Sequence, residues 1–359
     1  MTTDTALMER AVELAWKGWG RVHPNPLVGA VVTDAGGAVV GEGWHAEFGG
    51  PHAERMALEA AGARARGGTL VVTLEPCRHQ GQQPPCTEAI LAAGIARVVY
   101  AVEDPNPEAA GGAEALRAAG VEVEWGVGLA AASAQNAAFL GRFLTPDQPW
   151  LALKLATSLD GRIADRYGRS RWISGREARD FVQWLRAGVD AIAVGGATAR
   201  ADDPALTVRG AIEPRQVPLR VVFDRSGNLP TTLEVLRTAR ETPTCVVAGP
   251  LLSGERAAAI EAASAQLVRS QDLPDALAEL RRRGVTSMLV EGGGQLAGAL
   301  LDAGLVHRFY WIQSPLFLGE GSTPAVDGLD GVDLAAADRW KVVERRALGQ
   351  DTLLVVDRY

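Results

Sequence analysis

Cysteine is scarce in this chain: three residues in 359 are too few for a disulfide scaffold at this size. Two of them, Cys77 and Cys86, flank a Pro/Gln-rich loop, a placement that suits metal binding or catalysis in a reducing compartment. Long apolar runs are missing as well. No stretch reaches the roughly 18 consecutive apolar residues of a membrane-spanning helix, and the opening MTTDTALMER has no basic segment leading into an apolar one. The chain is therefore expected to be soluble and cytoplasmic, with no membrane partner. Positive charge is in deficit. Lys and Arg number 36 against 43 Asp and Glu, a net charge of -7, and such a field repels polyanions and argues against a nucleic-acid partner. A small phosphorylated ligand needs only a local basic site. What is plentiful is ordinary: 47% apolar residues, 41 Gly and 19 Pro, enough to build cores and unlike a disordered or collagen-like chain. At roughly 150 residues per domain, the length predicts two domains.

Both halves alternate strand and helix patterns, which predicts α/β architecture throughout. ALMERAVELAWKGWG reads as an amphipathic helix, and LVGAVVTDAGGAVVGEGWH as a hairpin turning at Asp34–Gly37. PHAERMALEAAGARA and TEAILAAG read as helices on either side of the Val-rich strand TLVVTLEP. ARVVYAVEDP, EALRAAG and VEVEWGV continue strand, helix, strand, and a connecting helix is expected around SAQNAAFLGRFL. The prolines of TPDQPW mark the boundary, giving domains of 1–146 and 147–359. The second half runs from LALKLATSLDG to a closing strand, DTLLVVDRY, and its Val-rich strands with glycine turns predict a mainly parallel sheet. Arg281–Arg283 stand at a predicted helix end, where cations complement the helix dipole.

Three pieces of the first half carry chemistry together: His52-Ala53-Glu54, Glu75-Pro76-Cys77, and Cys86. A catalytic zinc takes three protein ligands and leaves a position for water, and one His with two Cys supply that number. Zinc acidifies the water toward neutrality, and a carboxylate that is not a ligand must carry the proton to the leaving ammonia. Glu54, two residues after His52, is the candidate. The order H-x-E, P-C, C is that of the zinc nucleobase deaminases, in which two residues normally separate the cysteines. Here RHQGQQPP separates them, and Cys86 is expected at a helix N-terminus, where a thiolate is favoured. The alternative is a closed structural site with His79 as fourth ligand. Upstream, Asn25 lies between Pro24 and Pro26, either to bond a pyrimidine edge or to cap a turn.

HPNPLVGAVV, PHAERMAL, TLEPCRHQGQQPPC and EDPNPEAAGG, in this order, resemble the N-terminal half of the bifunctional deaminase/reductase family of riboflavin biosynthesis, in which the long loop between cysteines is typical. The resemblance implies a cytidine-deaminase-like α/β/α domain with zinc on His52, Cys77 and Cys86, Glu54 as proton shuttle, and Asn25 on the base. The family usually has Ser where Arg78 stands and a basic residue where Gln82 stands. This departure bears on the phosphate contact of the domain, for which Arg78 is the nearby cation.

In the second half, Gly292–Gly294 follow a predicted strand and open a helix, so backbone N–H groups can approach a cofactor phosphate. Gly195-Gly196 offers a second such approach. Lys154, Arg186 and Arg209 are cations near element ends that suit either a substrate phosphate or a solvated surface. Asp202-Asp203 before Pro204 is a possible capping pair, and Cys245 reads as a buried small apolar residue. KLATSLDGRIA, RWISG, VGGATARADDPALTVR and VEGGGQLAGALL resemble the reductase half of the same family, which has a dihydrofolate-reductase-like α/β fold, so the likeness runs from about His23 to Leu318. It implies NADPH contacts at Ala156, Trp172, Thr198, Asp202, Gly293 and Gly294, with Arg225 beside the 2′-phosphate. It also implies substrate contacts at Ser170, Arg186, Leu206, Arg209 and Glu291, with Lys154 among the cations at that site. The expected activity is zinc-dependent deamination of a phosphorylated pyrimidine followed by NADPH-dependent reduction of its ribosyl group. Self-association through the reductase half is also implied.

Overall fold

A computed structural model describes residues 3–81 and 83–358. The chain divides into two compact units, Met1–Leu144 and Thr145–Tyr359. The first runs α1 (Asp4–Ala15), β1 (Gly29–Thr33), β2 (Val39–Trp44), α2 (Ala53–Ala61), β3 (Thr69–Leu74), α3 (Cys86–Ala93), β4 (Arg97–Val102), α4 (Gly112–Ala118), β5 (Glu122–Trp125), α5 (Leu129–Gln135) and α6 (Ala137–Leu144). Its sheet has the order β2-β1-β3-β4-β5; β1 is antiparallel to β2 and β3, and β3, β4 and β5 are parallel. The hairpin closes at Asp34, whose Oδ1 accepts from the Gly36 and Ala38 amides. The connecting helix is two helices rather than one. Asn136 breaks it because its buried side chain accepts from the Leu27 amide and donates to the Leu27 carbonyl.

Small residues draw α2 onto β2. A Cβ at Gly41 would fall 2.1 Å from the Ala57 carbonyl oxygen, and one at Gly43 2.4 Å from that of Ala53. Any side chain there would push α2 outward, and with it His52 and Glu54 at its first turn.

The second unit comprises β6 (Trp150–Thr157), β7 (Arg162–Ala164), α7 (Arg176–Ala187), β8 (Ala191–Gly195), α8 (Gly196–Asp202), β9 (Leu219–Phe223), α9 (Glu234–Arg237), β10 (Thr244–Ala248), α10 (Gly254–Ala262), β11 (Gln266–Arg269), α11 (Leu273–Arg282), β12 (Ser287–Glu291), α12 (Gly294–Asp302), β13 (Arg308–Gln313), β14 (Thr323–Pro324), β15 (Lys341–Leu348) and β16 (Asp351–Asp357). Its main sheet has the order β11-β10-β9-β8-β12-β6-β13-β16-β15, parallel from β11 to β13 and antiparallel at β16 and β15. The central strands are apolar without alternation because both faces are covered: Ala191 and Ala193 of β8 join one core cluster, Ile192 and Val194 the other. Cys245 is buried in β10. The C-terminal ends of β9, β8, β12 and β6 lie side by side, with Glu291 opposite Lys154 and Gly195 opposite Phe223, and ligands of parallel α/β sheets bind at such an edge. β15, KVVERRAL, escapes the hydrophobic pattern because it is a largely exposed edge strand paired with β16; its charges suit an edge. Arg282 and Arg283, at the end of α11, pair with Glu279. Among the described residues no helix is long and apolar enough to cross a membrane.

Candidate functional site

Three donors of the first unit converge. His52 is the N-cap of α2, Cys77 follows β3, and Cys86 opens α3. The Cys77 Sγ is 3.5 Å and the Cys86 Sγ 3.3 Å from the His52 Nδ1, and among the described residues these three form the group able to hold a metal ion. His79 is not part of it. Zinc–sulfur and zinc–nitrogen bonds of about 2.3 and 2.1 Å at a tetrahedral centre set the two atoms about 3.6 Å apart, so the donor set fits zinc. Cys77 is the better thiolate, lowered to about 4: the Cys86 thiol donates to it, burial opposes, and His52 and the Cys86 amide add to the effect. The same proton sharing, with burial, pushes Cys86 up. Cys86 does open the helix as expected, but its amide, 3.5 Å from the Cys77 Sγ, favours the thiolate at Cys77 rather than at Cys86 itself.

Glu54 is 4% exposed, and burial pushes its carboxyl above the ordinary value, with His52 opposing. It lines a cavity of about 310 Å³ with Asn25, His45, His52, Cys77 and Arg142, among others. His45 escaped the sequence, and so did the role of Glu75. His45, at the end of β2, lies 3.1 Å from the Pro51 carbonyl through Nδ1 and 3.3 Å from the Asn25 Nδ2 through Nε2. A carbonyl only accepts, so Nδ1 carries the proton and Nε2 accepts from Asn25; burial holds this imidazole below its usual value. Glu75 accepts from the amides of Gly111 and Ala113 through Oε1 and of Asp104 through Oε2, which shapes the cavity wall. The signal for His45 lay in its place beside a strand end, a weak one by itself. Glu75 stood next to Pro76-Cys77 with nothing to show that its partners lay 29 to 38 residues on. Arg78 is exposed and stacks on Gly111, where a Cβ would meet its Nε at 3.1 Å, and it does not line the cavity. Position 82, a glutamine, lies outside the described residues.

In the second unit the residues fall into small groups, several of them at the C-terminal ends of the parallel strands. Arg186, on α7, and Glu291, ending β12, form a two-pronged ion pair at 2.5 and 2.8 Å, and the Arg186 Nη1 also donates to the Thr207 carbonyl. Burial alone would raise the Glu291 carboxyl, but Arg186, with Lys154 and Arg209 behind it, holds it below its ordinary value. Burial likewise lowers Lys154. Arg209 is exposed and its backbone amide bonds the Gln183 side chain. Leu206 is buried in the left-handed region, at φ 49°. The Ser170 hydroxyl donates to Asp202 at 3.0 Å, and Arg171 donates to the Asp202 carbonyl, so Asp202 is tied to this segment. Asp203 caps α9 instead, its Oδ1 accepting from the Glu234 amide at 2.6 Å. Trp172 is exposed, 69% of its surface open, with Arg179 4.7 Å over its ring.

Ala156 is half-buried near the end of β6. Gly293, at φ 87°, has Thr198 Oγ1 2.9 Å from where its Cβ would sit, and a Cβ at Gly294 would fall 2.5 Å from the Pro324 carbonyl oxygen. Glycine at 293 thus lets the Thr198 hydroxyl sit against the loop that opens α12, at a helix N-terminus of the kind that suits a phosphate. At Gly195-Gly196, Asp224 fills the space a Gly196 Cβ would take, 2.6 Å away, whereas a Cβ at Gly195 would meet only Leu296, at 3.6 Å. Asp224 is 5% exposed and pairs with Arg200 at 3.3 Å. Arg225, the next residue, is exposed.

Residues 149–354 match the family described as the RibD C-terminal domain, and residues 1–102 the cytidine and deoxycytidylate deaminase zinc-binding region. The chain is 39% identical over 359 residues to the riboflavin biosynthesis protein RibD of Aquifex aeolicus (strain VF5), with 99% of each covered. It is 40% identical over 367 residues to that of Escherichia coli (strain K12), with 98% of each covered. Among solved structures it is similar to Acinetobacter baumannii RibD, at 36% identity and TM-score 0.84 over 99% of both chains. It is also similar to a diaminohydroxyphosphoribosylaminopyrimidine deaminase/5-amino-6-(5-phosphoribosylamino)uracil reductase from Thermotoga maritima, at 35% identity and TM-score 0.83 over 99% of both chains.

Proposed function

The chain belongs to the RibD family of riboflavin biosynthesis, and from that premise we propose which of its residues perform each of the family's two reactions. The protein is bifunctional: a zinc-dependent deaminase of 2,5-diamino-6-ribosylamino-4(3H)-pyrimidinone 5′-phosphate and an NADPH-dependent reductase of the deaminated product, giving the ribitylamino compound. The deaminase is assigned to residues 1–146 and the reductase to 147–359.

In the first site His52, Cys77 and Cys86 hold zinc, which when bound supplies a water acidified toward neutrality. Glu54 carries the proton from that water to the leaving ammonia. Burial raises its carboxyl above the ordinary value, the direction that suits a group that both takes up and delivers a proton. The Asn25 Nδ2 donates to His45, which leaves its Oδ1 to accept an N–H of the pyrimidine.

In the second site NADPH supplies the hydride. Gly293 and Gly294 let the cofactor approach the backbone, with Thr198, Asp202, Ala156 and Trp172 around it and Arg225 toward the 2′-phosphate. Lys154, Ser170, Leu206, Arg209 and the Arg186–Glu291 pair receive the substrate. Glu291 and the Thr207 carbonyl fix the Arg186 guanidinium, and Arg209 is the more accessible cation for the substrate phosphate. We further assign the protein to the cytoplasm, as a self-associating enzyme without nucleic-acid or membrane partners.

The observation that carries this reading is the His52, Cys77, Cys86 group, of which His52 and Cys77 line one cavity with a buried Glu54. The test is ammonia release by the zinc-loaded protein without cofactor, followed by NADPH oxidation on the same substrate. Ammonia is expected first and alone, and NADPH consumption only after deamination. NADPH consumption that precedes ammonia release would reverse the order of steps and sink the assignment.

A further inference from the structure

The substrate of the first site is a phosphate monoester, near a dianion at neutral pH, and it must be gripped in a protein of net charge -7. The carboxylates of Glu54, Glu75 and Asp104 line the cavity. Three histidines line it: His45 is spent on Pro51 and Asn25, His52 sits against the two thiols, and His79 lies on the loop between the cysteines. Among the described lining residues Arg142 is the one with a permanent positive charge. Arg78, the cation that chain proximity suggests, lies against Gly111 and outside the lining.

Arg142 belongs to α6. Its Nη1 donates to the Pro24 carbonyl at 2.8 Å, and its guanidinium stands 5.4 Å from the ring of Phe139 and 4.9 Å from that of Phe143. Phe139 lines the same cavity. The carbonyl and the two rings hold the guanidinium plane in place beside the loop that carries Asn25, and the planar fork of arginine matches phosphate oxygens. We propose that Arg142 binds the 5′-phosphate of the pyrimidine in the first site and so selects the phosphorylated substrate. This rests on the deaminase assignment above.

The test uses the zinc-loaded full-length protein, measuring ammonia release from the phosphorylated pyrimidine and from its dephosphorylated counterpart. Replacing Arg142→Met is expected to raise KM for the phosphorylated compound about 10- to 100-fold, the loss of a charge-assisted contact, with kcat unchanged. The dephosphorylated compound should be untouched, and Arg142→Lys should restore most of the affinity. NADPH-dependent reduction of the deaminated intermediate reports that each variant is folded. An equal loss on both compounds would make Arg142 a support for Pro24 and Asn25 and overturn the proposal, as would no loss on either. A wild-type protein that releases ammonia from neither compound would bring down the deaminase assignment, and the phosphate anchor with it.

Discussion

Glu54 in the first unit and Glu291 in the second are both largely withdrawn from water, the latter with 11% of its side chain exposed, yet they are shifted in opposite directions. Glu54 faces thiols and a single imidazole, so burial dominates and its neutral form is favoured. Glu291 faces Arg186 at 2.5 Å, with Lys154 opposite in the neighbouring strand, and the cations outweigh burial. The same residue type is thereby suited to moving a proton in one unit and to fixing a cation in the other. Environment, rather than identity, assigns the role.

The largest effect is expected at Glu54→Gln, which keeps shape and removes the titrating proton: ammonia release should fall by about 10²–10⁴-fold, while reduction of the pre-deaminated intermediate persists. Loss of both activities together would end the two-site account.

Breaking the other carboxylate's pair should act on stability first. Arg186→Met leaves Glu291 buried without its partner and should cost about 3–5 kcal/mol, read as a lowered denaturation midpoint. The pH dependence has a definite sign. Because the folded Glu291 value lies below the ordinary value of about 4.3, its contribution is present above that pH and is lost as pH falls through the folded value. Glu291→Gln should flatten that acid limb, and an unchanged acid limb would show that Arg186 does not hold the carboxylate down.

Gly293→Ala places a Cβ 2.9 Å from Thr198 Oγ1 on backbone at φ 87°. Strain of roughly 1–3 kcal/mol should raise KM for NADPH about tenfold without touching ammonia release. The smallest effect is expected at the exposed Arg225: Arg225→Gln should raise KM for NADPH about 2- to 5-fold and leave KM for NADH unchanged. Equal effects on both cofactors would move the 2′-phosphate contact elsewhere.

Much of this was legible before folding. Period-two and period-3.6 patterns located the hairpin, the helix after Pro51 and the buried parallel strands, because apolar residues there must face a core. His52, Glu54, Cys77 and Cys86 were legible because few residue types bind zinc and few can shuttle a proton. Elements that do not bury an apolar face were harder to see: β15 is held mainly by backbone pairing with β16, and the break at Asn136 depends on a bond to Leu27, 109 residues away. That Asp224, 28 positions on, packs against Gly196 was hidden for a related reason.

Local spacing, and residue chemistry that needs no partner, were enough for the two α/β units, the candidate metal donors and the glycine loop. Only the tertiary structure decided which way the buried glutamates shift, which face of Asn25 is left for a ligand, that Arg186 is paired with Glu291, and that Arg142 rather than Arg78 meets the first cavity. The physical reason is that burial, charge pairing and amide orientation depend on neighbours far away in the chain, and no local pattern encodes them.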